Sequence, residues 1–215
     1  MPEASTAPLP SSSPSTVAKH STGYESLARL DARIAALDNP KHKAWLTTHR
    51  NHWWGEVIGD VDAVMRTMSH KEITYSFDGH PFMTADMSWV KTHADTRDMY
   101  EGVVALGVPM AGPTDDERVY FSDTGLVFTC ILTVVYPGAF FPTMPGIKAE
   151  GMYLARWPNI TIVDYDEHNL MLGERIYNGA PLVFEPTDAS MIKQLVGSPA
   201  EDDPRRLKVL PPLAF

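Results

Sequence analysis

The spacing of hydrophobic residues changes from a helical to a strand-like period about halfway along the chain. Before residue 107, apolar side chains mostly recur every three or four positions, as on one face of an amphipathic helix. After residue 117, runs of β-branched and aromatic residues are bounded by turn residues, which is typical of strands. The pattern predicts helices at 25–37, 41–58, 61–68, 95–106 and 189–195, and strands at 73–77, 118–121, 126–136, 151–165 and 170–177.

Turn residues separate these segments. Asp60 can cap the helix at 61–68, and residues 78–81, Asp-Gly-His-Pro, form a predicted turn. Residues 111–116 are expected to form a polar loop. Residues 137–146 contain three prolines and two glycines, and this loop could serve as a lid or a subunit contact. Pro158 interrupts the strand at 151–165, which suggests a bulge or a bend there.

Helices followed by long strands favour an α+β fold, with a curved antiparallel sheet packed against N-terminal helices. Residues 23–215 are predicted to form one domain, including a helical turn around Trp89 and an extension at the C-terminus. Residues 1–22 are rich in Ser, Pro, Thr and Ala, and we interpret them as an arm that could pack on a neighbouring subunit.

Charge and composition exclude several classes of protein. The net charge is −9 and no basic stripe with interleaved aromatics occurs, which disfavours nucleic-acid binding. The longest apolar run, Leu126 to Val135, is too short for a membrane helix, and the N-terminus lacks an apolar signal core. Cys130 is the single cysteine, so no internal disulfide can form, and we expect a cytoplasmic protein. Nucleophile-elbow, phosphate-loop and dinucleotide motifs are missing from the sequence.

The sequence also carries four diffuse motifs, GDVDAVMRTM, ITYSF, TRDMYEGVVAL and NITIVDYDEHNLMLGERIYNG. Their order resembles the nuclear-transport-factor-2-like superfamily, which includes polyketide cyclases, steroid isomerases and scytalone dehydratase, and the resemblance covers about residues 41–185. It implies a cone-shaped barrel, usually dimeric, with a pocket between sheet and helices. It also implies cofactor-free acid–base chemistry on small, often cyclic or aromatic molecules, although some members bind ligands without catalysis. Bacterial diarylpropane lyases, which remove formaldehyde from lignin-derived diaryl propanediols, are the nearest functional analogue within this fold.

Two residues that follow the predicted strand at 73–77 are candidate acid–base groups. Asp78 occupies a position similar to that of the general-base aspartate of steroid isomerases, and His80 could act as acid or base near neutral pH. Each residue also has a structural interpretation, Asp78 as a turn aspartate before Gly79 and His80 as an exposed turn histidine.

Histidines on the predicted helix at 41–58 are the second set of candidates. His49 and His52 share one side of this helix with aromatic residues, and tyrosines such as Tyr100 could supply phenols, as in scytalone dehydratase. Either histidine could instead be a buried group bonded to a backbone carbonyl. The sequence has no zinc-protease motif, so we expect neither a metal site nor any other cofactor.

Arg156 could stabilise an oxyanion if it points into the barrel, or be an ordinary edge charge if it faces outwards. Strand alternation puts Arg156 and Tyr153 on opposite faces, so both can line a pocket only if the strand contains a bulge. Cys130 is interpreted as an inert core thiol.

These observations predict a lyase without cofactor, acting by loss of water or formaldehyde on a small hydrophobic, aromatic substrate, in a homodimer or larger homo-oligomer. The alternative is a binding or assembly module whose barrel is plugged by Trp53, Met99 and Phe128. The candidate catalytic residues are His52, Asp78, His80, Tyr100 and Arg156. The candidate substrate-binding residues are His49, Trp53, Trp54, Tyr75, Phe82, Trp89, Met99 and Tyr153.

Overall fold

A layer of helices packs on one curved sheet in the computed structural model, which describes residues 20–78, 89–141 and 144–198. Within these ranges the helices are α1 (Gly23–Ala35), α2 (Pro40–Ile58), α3 (Val61–Met65), α4 (His93–Val104) and α5 (Ser190–Val196). The strands are β1 (Ile73–Asp78), β2 (Trp89–Lys91), β3 (Thr114–Phe121), β4 (Gly125–Pro137), β5 (Met152–Asp164), β6 (Gly173–Asn178) and β7 (Val183–Thr187). The predicted α+β class is confirmed.

Local sequence signals set the ends of the first three helices. Thr22 and Glu25 form a capping box at the start of α1, and the Asn39 side chain accepts backbone hydrogen bonds at the start of α2. Helix α2 ends at Gly59, whose φ of 70° is in the left-handed region that glycine adopts without strain. Asp60 caps α3 as predicted. These caps fix both ends of α2 and the starts of α1 and α3.

The sheet is mixed, whereas the sequence predicted an antiparallel one. Its order is β2-β1-β6-β5-β4-β3, and β7 pairs with β5 outside this path. Strands β1 and β6 run parallel, with Thr74 opposite Gly173 and Tyr75 opposite Glu174, and the other named strand pairs are antiparallel. No hairpin joins β1 to β6, because α4 and three long strands lie between them in sequence, so no turn signal reveals their direction.

The sequence-based prediction was wrong for several short segments, either in their type or in where they begin. Residues 89–91 form β2, paired with β1, in place of a helical turn, and β3 begins at Thr114 inside the expected loop. Strand β7 lies in a region with no predicted strand, and α4 begins at His93 because Thr92 caps it. Strands of three to five residues gain their conformation from the neighbour they pair with, and their own sequence carries little signal.

Pro158 causes no bulge in β5, contrary to the prediction. The register with β4 continues through it, with Ile131 opposite Pro158. On the other edge of β5, β7 pairs with residues 152–156 and β6 pairs with residues 159–162. Proline has no N–H to donate, and it occupies the gap between these two partners.

The main core lies between α1, α2 and the sheet. Leu30, Trp45 and Leu46 from the helices pack with Ile73 and Val163 from the strands. Helix α5 packs against β4 and β5, and its last residue, Val196, reaches the edge of the main core beside α1. No helix within the described ranges is both long and apolar enough to cross a membrane.

Gly173 provides a test of the β1–β6 contact. Its φ is 108°, and a Cβ at this position would lie 1.9 Å from the carbonyl oxygen of Thr74. We expect Gly173→Ala to lower the free energy of unfolding by about 2–4 kcal/mol, because the chain must shift and the backbone is strained. Urea unfolding of the purified protein measures the change. Gly102→Ala on α4 is the matched control, since its Cβ meets nothing within 4 Å and should be neutral or slightly stabilising. Equal midpoints for Gly173→Ala and wild type would refute the argument.

Candidate functional site

A cavity of about 170 Å³ lies between helices α2 and α4 and the sheet. Its wall is mainly apolar and aromatic, with a small number of polar side chains, as is usual for small-molecule sites. Trp53, Met99 and Phe128 contribute to the wall and leave the space open. The remaining described lining residues are His49, Glu56, Tyr75, Phe77, Tyr100, Val103, Met110, Ala111, Thr114, Cys130, Leu132, Tyr136, Phe140, Asn159, Thr161, Glu174, Ile176 and Asn178.

Five titratable side chains meet at one part of this cavity, and we call them the polar cluster: His52, Glu56, Tyr75, Tyr100 and Glu174. The Tyr100 hydroxyl is its centre, 2.9 Å from the Tyr75 hydroxyl and 3.0 Å from Oε1 of Glu56. Nε2 of His52 lies 3.1 Å from the same hydroxyl and 3.5 Å from Oε1 of Glu56. One ring nitrogen of His52 and one carboxylate oxygen each of Glu56 and Glu174 all lie within 4.8 Å of one another. Protons can therefore move between these groups over single hydrogen bonds or one bridging water.

His52 has a defined tautomer. Its Nδ1 is 2.8 Å from the hydroxyl oxygen of Thr67, and that hydroxyl donates its own proton to the carbonyl oxygen of Val64. Nδ1 must therefore carry the hydrogen of this bond, which leaves Nε2 free to face Tyr100 and Glu56.

The surroundings shift the pKa values of the cluster in ways that favour proton transfer. Burial, reinforced by the neighbouring Glu56, raises the pKa of Glu174 from 4.5 to about 7. Burial opposes a charge on His52, but the carboxylates of Glu56 and Glu174 outweigh it and raise the pKa of this imidazole. Burial also raises the pKa of Tyr75 and of Tyr100 well above 10, so both phenols keep their protons. Perturbed groups of this kind gather at functional sites.

Helix period and strand register bring the cluster together. His52 and Glu56 are separated by four residues on α2, which places both on one face. Tyr75 and Glu174 are partners in the parallel β1–β6 pair. Tyr100 comes from α4, so three separate parts of the chain must dock before the cluster exists.

His49 faces the same cavity but is chemically different from His52. Burial and the nearby His52 lower its pKa to about 3, so it is neutral at physiological pH. Its ring centre is 4.9 Å from that of Phe128, and Nδ1 is buried without a hydrogen-bond partner in the described structure. His49 is therefore suited to contact a ligand and not to exchange protons with it.

Five predicted site residues line the cavity, and a sixth reaches it through the polar cluster. The lining residues are His49, Trp53, Tyr75, Met99 and Tyr100, and the sixth is His52. Trp54 turns away and packs edge-on against Tyr24 at 4.8 Å, so its predicted role as a wall residue is wrong.

Arg156 and Tyr153 do not reach the cavity, which corrects two predicted roles. Arg156 is half-buried and bound to Asp115, with 3.0 Å between Nη2 and Oδ2. The Tyr153 hydroxyl accepts a hydrogen bond from the backbone N–H of Lys148, and its ring stacks on Phe184. Without a bulge in β5, Arg156 remains on the face opposite the lining residue Asn159.

Asp78 lies at the exposed end of β1, opposite Tyr177, and does not line the cavity. His80 and Phe82 lie outside the described residues, as does the side chain of Trp89. Asp78 is therefore not part of the polar cluster, which lies farther back along β1, at Tyr75, and the role of His80 stays a prediction.

Glu56 and Glu174 were missed as candidates in the sequence. Glu56 had a usable signal, because it lies one helical turn after His52. The signal for Glu174 was weak, because it was only a single acidic residue in the predicted strand at 170–177. Strand alternation places its side chain on one face of the sheet but does not tell which face the helices cover. The carboxylates are the residues that complete the cluster.

His52, Glu56 and Glu174 could also hold a divalent cation. One imidazole nitrogen and two carboxylate oxygens are donors that zinc and similar ions accept, and the Nδ1 bond to Thr67 resembles the outer contact of many metal-binding histidines. The sequence predicted no metal site. The same three residues are bonded to Tyr100 or lie beside it, so a proton-transfer role competes with metal binding.

In comparisons with known proteins, the chain matches no family model and no curated protein. A protein of Shewanella denitrificans named as a SnoaL-like polyketide cyclase has a similar structure, with 10% identity, 63% of this chain and 90% of that chain covered, and a TM-score of 0.48. The Δ5-3-ketosteroid isomerase of Mycobacterium sp. is 15% identical, with 67% of this chain and 98% of that chain covered and a TM-score of 0.46. A protein of unknown function from Burkholderia xenovorans, similar to nuclear transport factor 2, is 11% identical, with 74% of this chain and 100% of that chain covered and a TM-score of 0.42. The printed names of these proteins fall within the superfamily that the sequence resembles, and the diarylpropane lyase analogy stays a prediction.

The raised pKa of Glu174 predicts a stability that depends on pH. Between 4.5 and about 7 the folded state binds more protons than the unfolded state, so the free energy of unfolding falls as the pH rises through this window. The neutral Glu174→Gln variant should lack this fall and be more stable than wild type at pH 8, by up to about 3 kcal/mol. Urea unfolding between pH 5 and pH 8 measures both proteins.

The exposed Glu150 supplies the control for this experiment. Glu150→Gln also removes one acid, but it should follow the wild-type curve. His52 adds a dependence of the same sign, since its pKa is also raised, and a shallow decline can remain in Glu174→Gln. A decline as steep as that of wild type in Glu174→Gln would contradict the assignment.

Proposed function

We propose that the protein is an enzyme that works without a cofactor and performs acid–base elimination on a small, neutral, aromatic alcohol inside this cavity. The observation that carries the proposal is the polar cluster, in which one buried and one partly buried carboxyl group, an imidazole and two phenols meet beside an apolar space. A ligand-binding module gains nothing from burying an ionisable carboxyl whose pKa is near 7, whereas a general base does.

The size of the cavity supports a substrate with one ring. A cavity of about 150 Å³ in another protein holds benzene, and about 170 Å³ is available here. A diaryl propanediol has two rings, and the second would have to extend beyond this space. Two carboxylates in the wall also disfavour an anionic substrate.

Glu174 is our candidate for the general base. Its carboxyl lines the cavity, is buried, and makes no hydrogen bond within the described part of the chain. A base is most effective when its pKa is close to the working pH, and about 7 satisfies that condition. Glu174 would take a proton from the carbon adjacent to the one that carries the departing hydroxyl group.

Tyr100 is our candidate for the acid that assists the leaving oxygen. Its phenol keeps its proton until the reaction, and Tyr75, at 2.9 Å, can donate to the phenolate that forms. His52 can then return a proton to Tyr100 across 3.1 Å, and Glu174 passes its proton into the cluster to close the cycle. In the net reaction one C–H and one C–O bond break, a C=C bond forms, and water leaves.

Loss of formaldehyde is the second version of this elimination, suggested by the diarylpropane lyases. In that version the base takes the proton of a primary alcohol, the adjacent C–C bond breaks, and the carbon that remains is protonated. One probe separates the two reactions, since 3-hydroxy-1-phenylpropan-1-one gives either phenyl vinyl ketone and water or acetophenone and formaldehyde.

We expect purified protein to convert this probe, and Glu174→Gln and Tyr100→Phe to lower kcat by about 10²–10⁴, because each removes one partner in proton transfer. Product chromatography with chelator present measures the rates and identifies the reaction. The acid limb of kcat/KM should have its midpoint near pH 7, where Glu174 ionises, and should be lost in Glu174→Gln.

Tyr136→Phe is the matched control for Tyr100→Phe. Tyr136 also lines the cavity, but its hydroxyl donates to the carbonyl oxygen of Met110, away from the cluster, so kcat should stay within a few-fold of wild type. Activity that is lost with chelator and restored by one divalent ion would favour the metal site at His52, Glu56 and Glu174. Binding of aromatic alcohols without any turnover would favour the module.

A further inference from the structure

A second group of polar side chains lies on the sheet wall of the cavity, apart from the polar cluster. Asn159, Thr161 and Asn178 all line the cavity, and Asn159 and Asn178 are cross-strand partners of β5 and β6. Glu174 and Asn178 are four residues apart on β6 and share one face, which separates them by roughly 13 Å along the strand. The cavity therefore has polar groups at two positions, and the proposed elimination uses only one of them.

The hydrogen bonds of this group run in one direction. The Thr161 hydroxyl donates to Oδ1 of Asn159 at 2.9 Å, and the Cys130 thiol, whose pKa is raised by burial, faces the same oxygen at 4.0 Å. Nδ2 of Asn159 therefore donates to Oδ1 of Asn178, at 2.9 Å. Asn178 is thus oriented with its oxygen towards Asn159 and its nitrogen away from it.

Nδ2 of Asn178 is the donor that this arrangement leaves over. It is buried and has no hydrogen-bond partner within the described part of the chain. A buried amide donor needs a partner to offset its loss of solvation, and the cavity that Asn178 lines has room for one.

The charges around the cavity indicate what kind of partner fits. None of the described lining residues is a lysine or an arginine, whereas Glu56 and Glu174 both belong to the wall. A carboxylate or phosphate would have no cationic counterpart here, so a neutral oxygen is favoured.

We propose that Asn178 donates a hydrogen bond to a carbonyl or ether oxygen at the end of the ligand remote from the reacting carbon. This inference rests on the proposed function for the direction in which the ligand lies. Asn159 and Thr161 are positioning residues that hold the Asn178 amide in the required orientation. The site therefore selects aromatic alcohols with a second, neutral oxygen function across the ring.

A pair of ligands of nearly equal shape tests this selection by binding alone. In 4-acetylbenzyl alcohol a carbonyl oxygen replaces one methyl group of 4-isopropylbenzyl alcohol. Isothermal calorimetry should show wild type binding the acetyl compound about five- to tenfold more tightly, the usual net effect of one hydrogen bond. Asn178→Ala should reduce this preference to less than twofold.

Two further variants keep the test decisive. Asn178→Asp has nearly the same shape as wild type but places a carboxylate against the ligand oxygen, so it should prefer the isopropyl compound even if Asn178→Ala folds poorly. Tyr177→Phe changes the neighbouring, exposed residue on the other face of β6, and it should keep the wild-type preference.

The outcomes separate this inference from the proposed function. Equal binding of both compounds by wild type, or a preference that persists in Asn178→Ala and Asn178→Asp, would overturn the inference and leave the elimination chemistry untouched. No binding of either compound would overturn the inference and the proposed substrate class together. Loss of turnover in Glu174→Gln with an intact binding preference would support both.

Discussion

A carboxyl group enclosed by apolar side chains beside a second carboxyl group is the constraint on which this site depends. Glu174 and Glu56 cannot both be ionised in this setting without a large energetic cost, so burial shifts the proton equilibrium towards neutral pH. His52 partly compensates the charge and is itself held by Thr67. No single charge distribution suits the cluster, and this is the property that makes it our candidate for proton transfer.

The scaffold keeps these groups in place through elements that are rigid for unrelated reasons. Helix α2 holds His52 and Glu56 at a fixed helical spacing, and the β1–β6 pair holds Tyr75 and Glu174 side by side. Close backbone approach at Gly173 lets β6 run against β1 just before Glu174. The geometry of the site is thus a consequence of packing between α2, α4 and the centre of the sheet, where little movement is possible.

Stability and the proposed activity make opposite demands on Glu174. An ionised carboxylate in an apolar cavity weakens the fold, but only the ionised form can accept a proton from a substrate. At the other polar position, the amide of Asn178 is held by neighbours and left with one unused donor. Both features are locally unfavourable in the empty protein and become favourable when a ligand with matching chemistry is present, which is the usual balance at a binding site.

The sequence by itself determined the α+β class, most of the helices and long strands, and the aromatic surroundings of His49 and His52, because periodicity and caps act over a few residues. It also indicated Tyr75 and Tyr100 as phenols of the site. Only the tertiary structure decided that β1 pairs parallel to β6, that Arg156 faces Asp115 and that Glu174 meets Glu56. Those contacts join residues far apart in sequence, and their pairing depends on how the sheet curves and which face the helices cover, which no local pattern records.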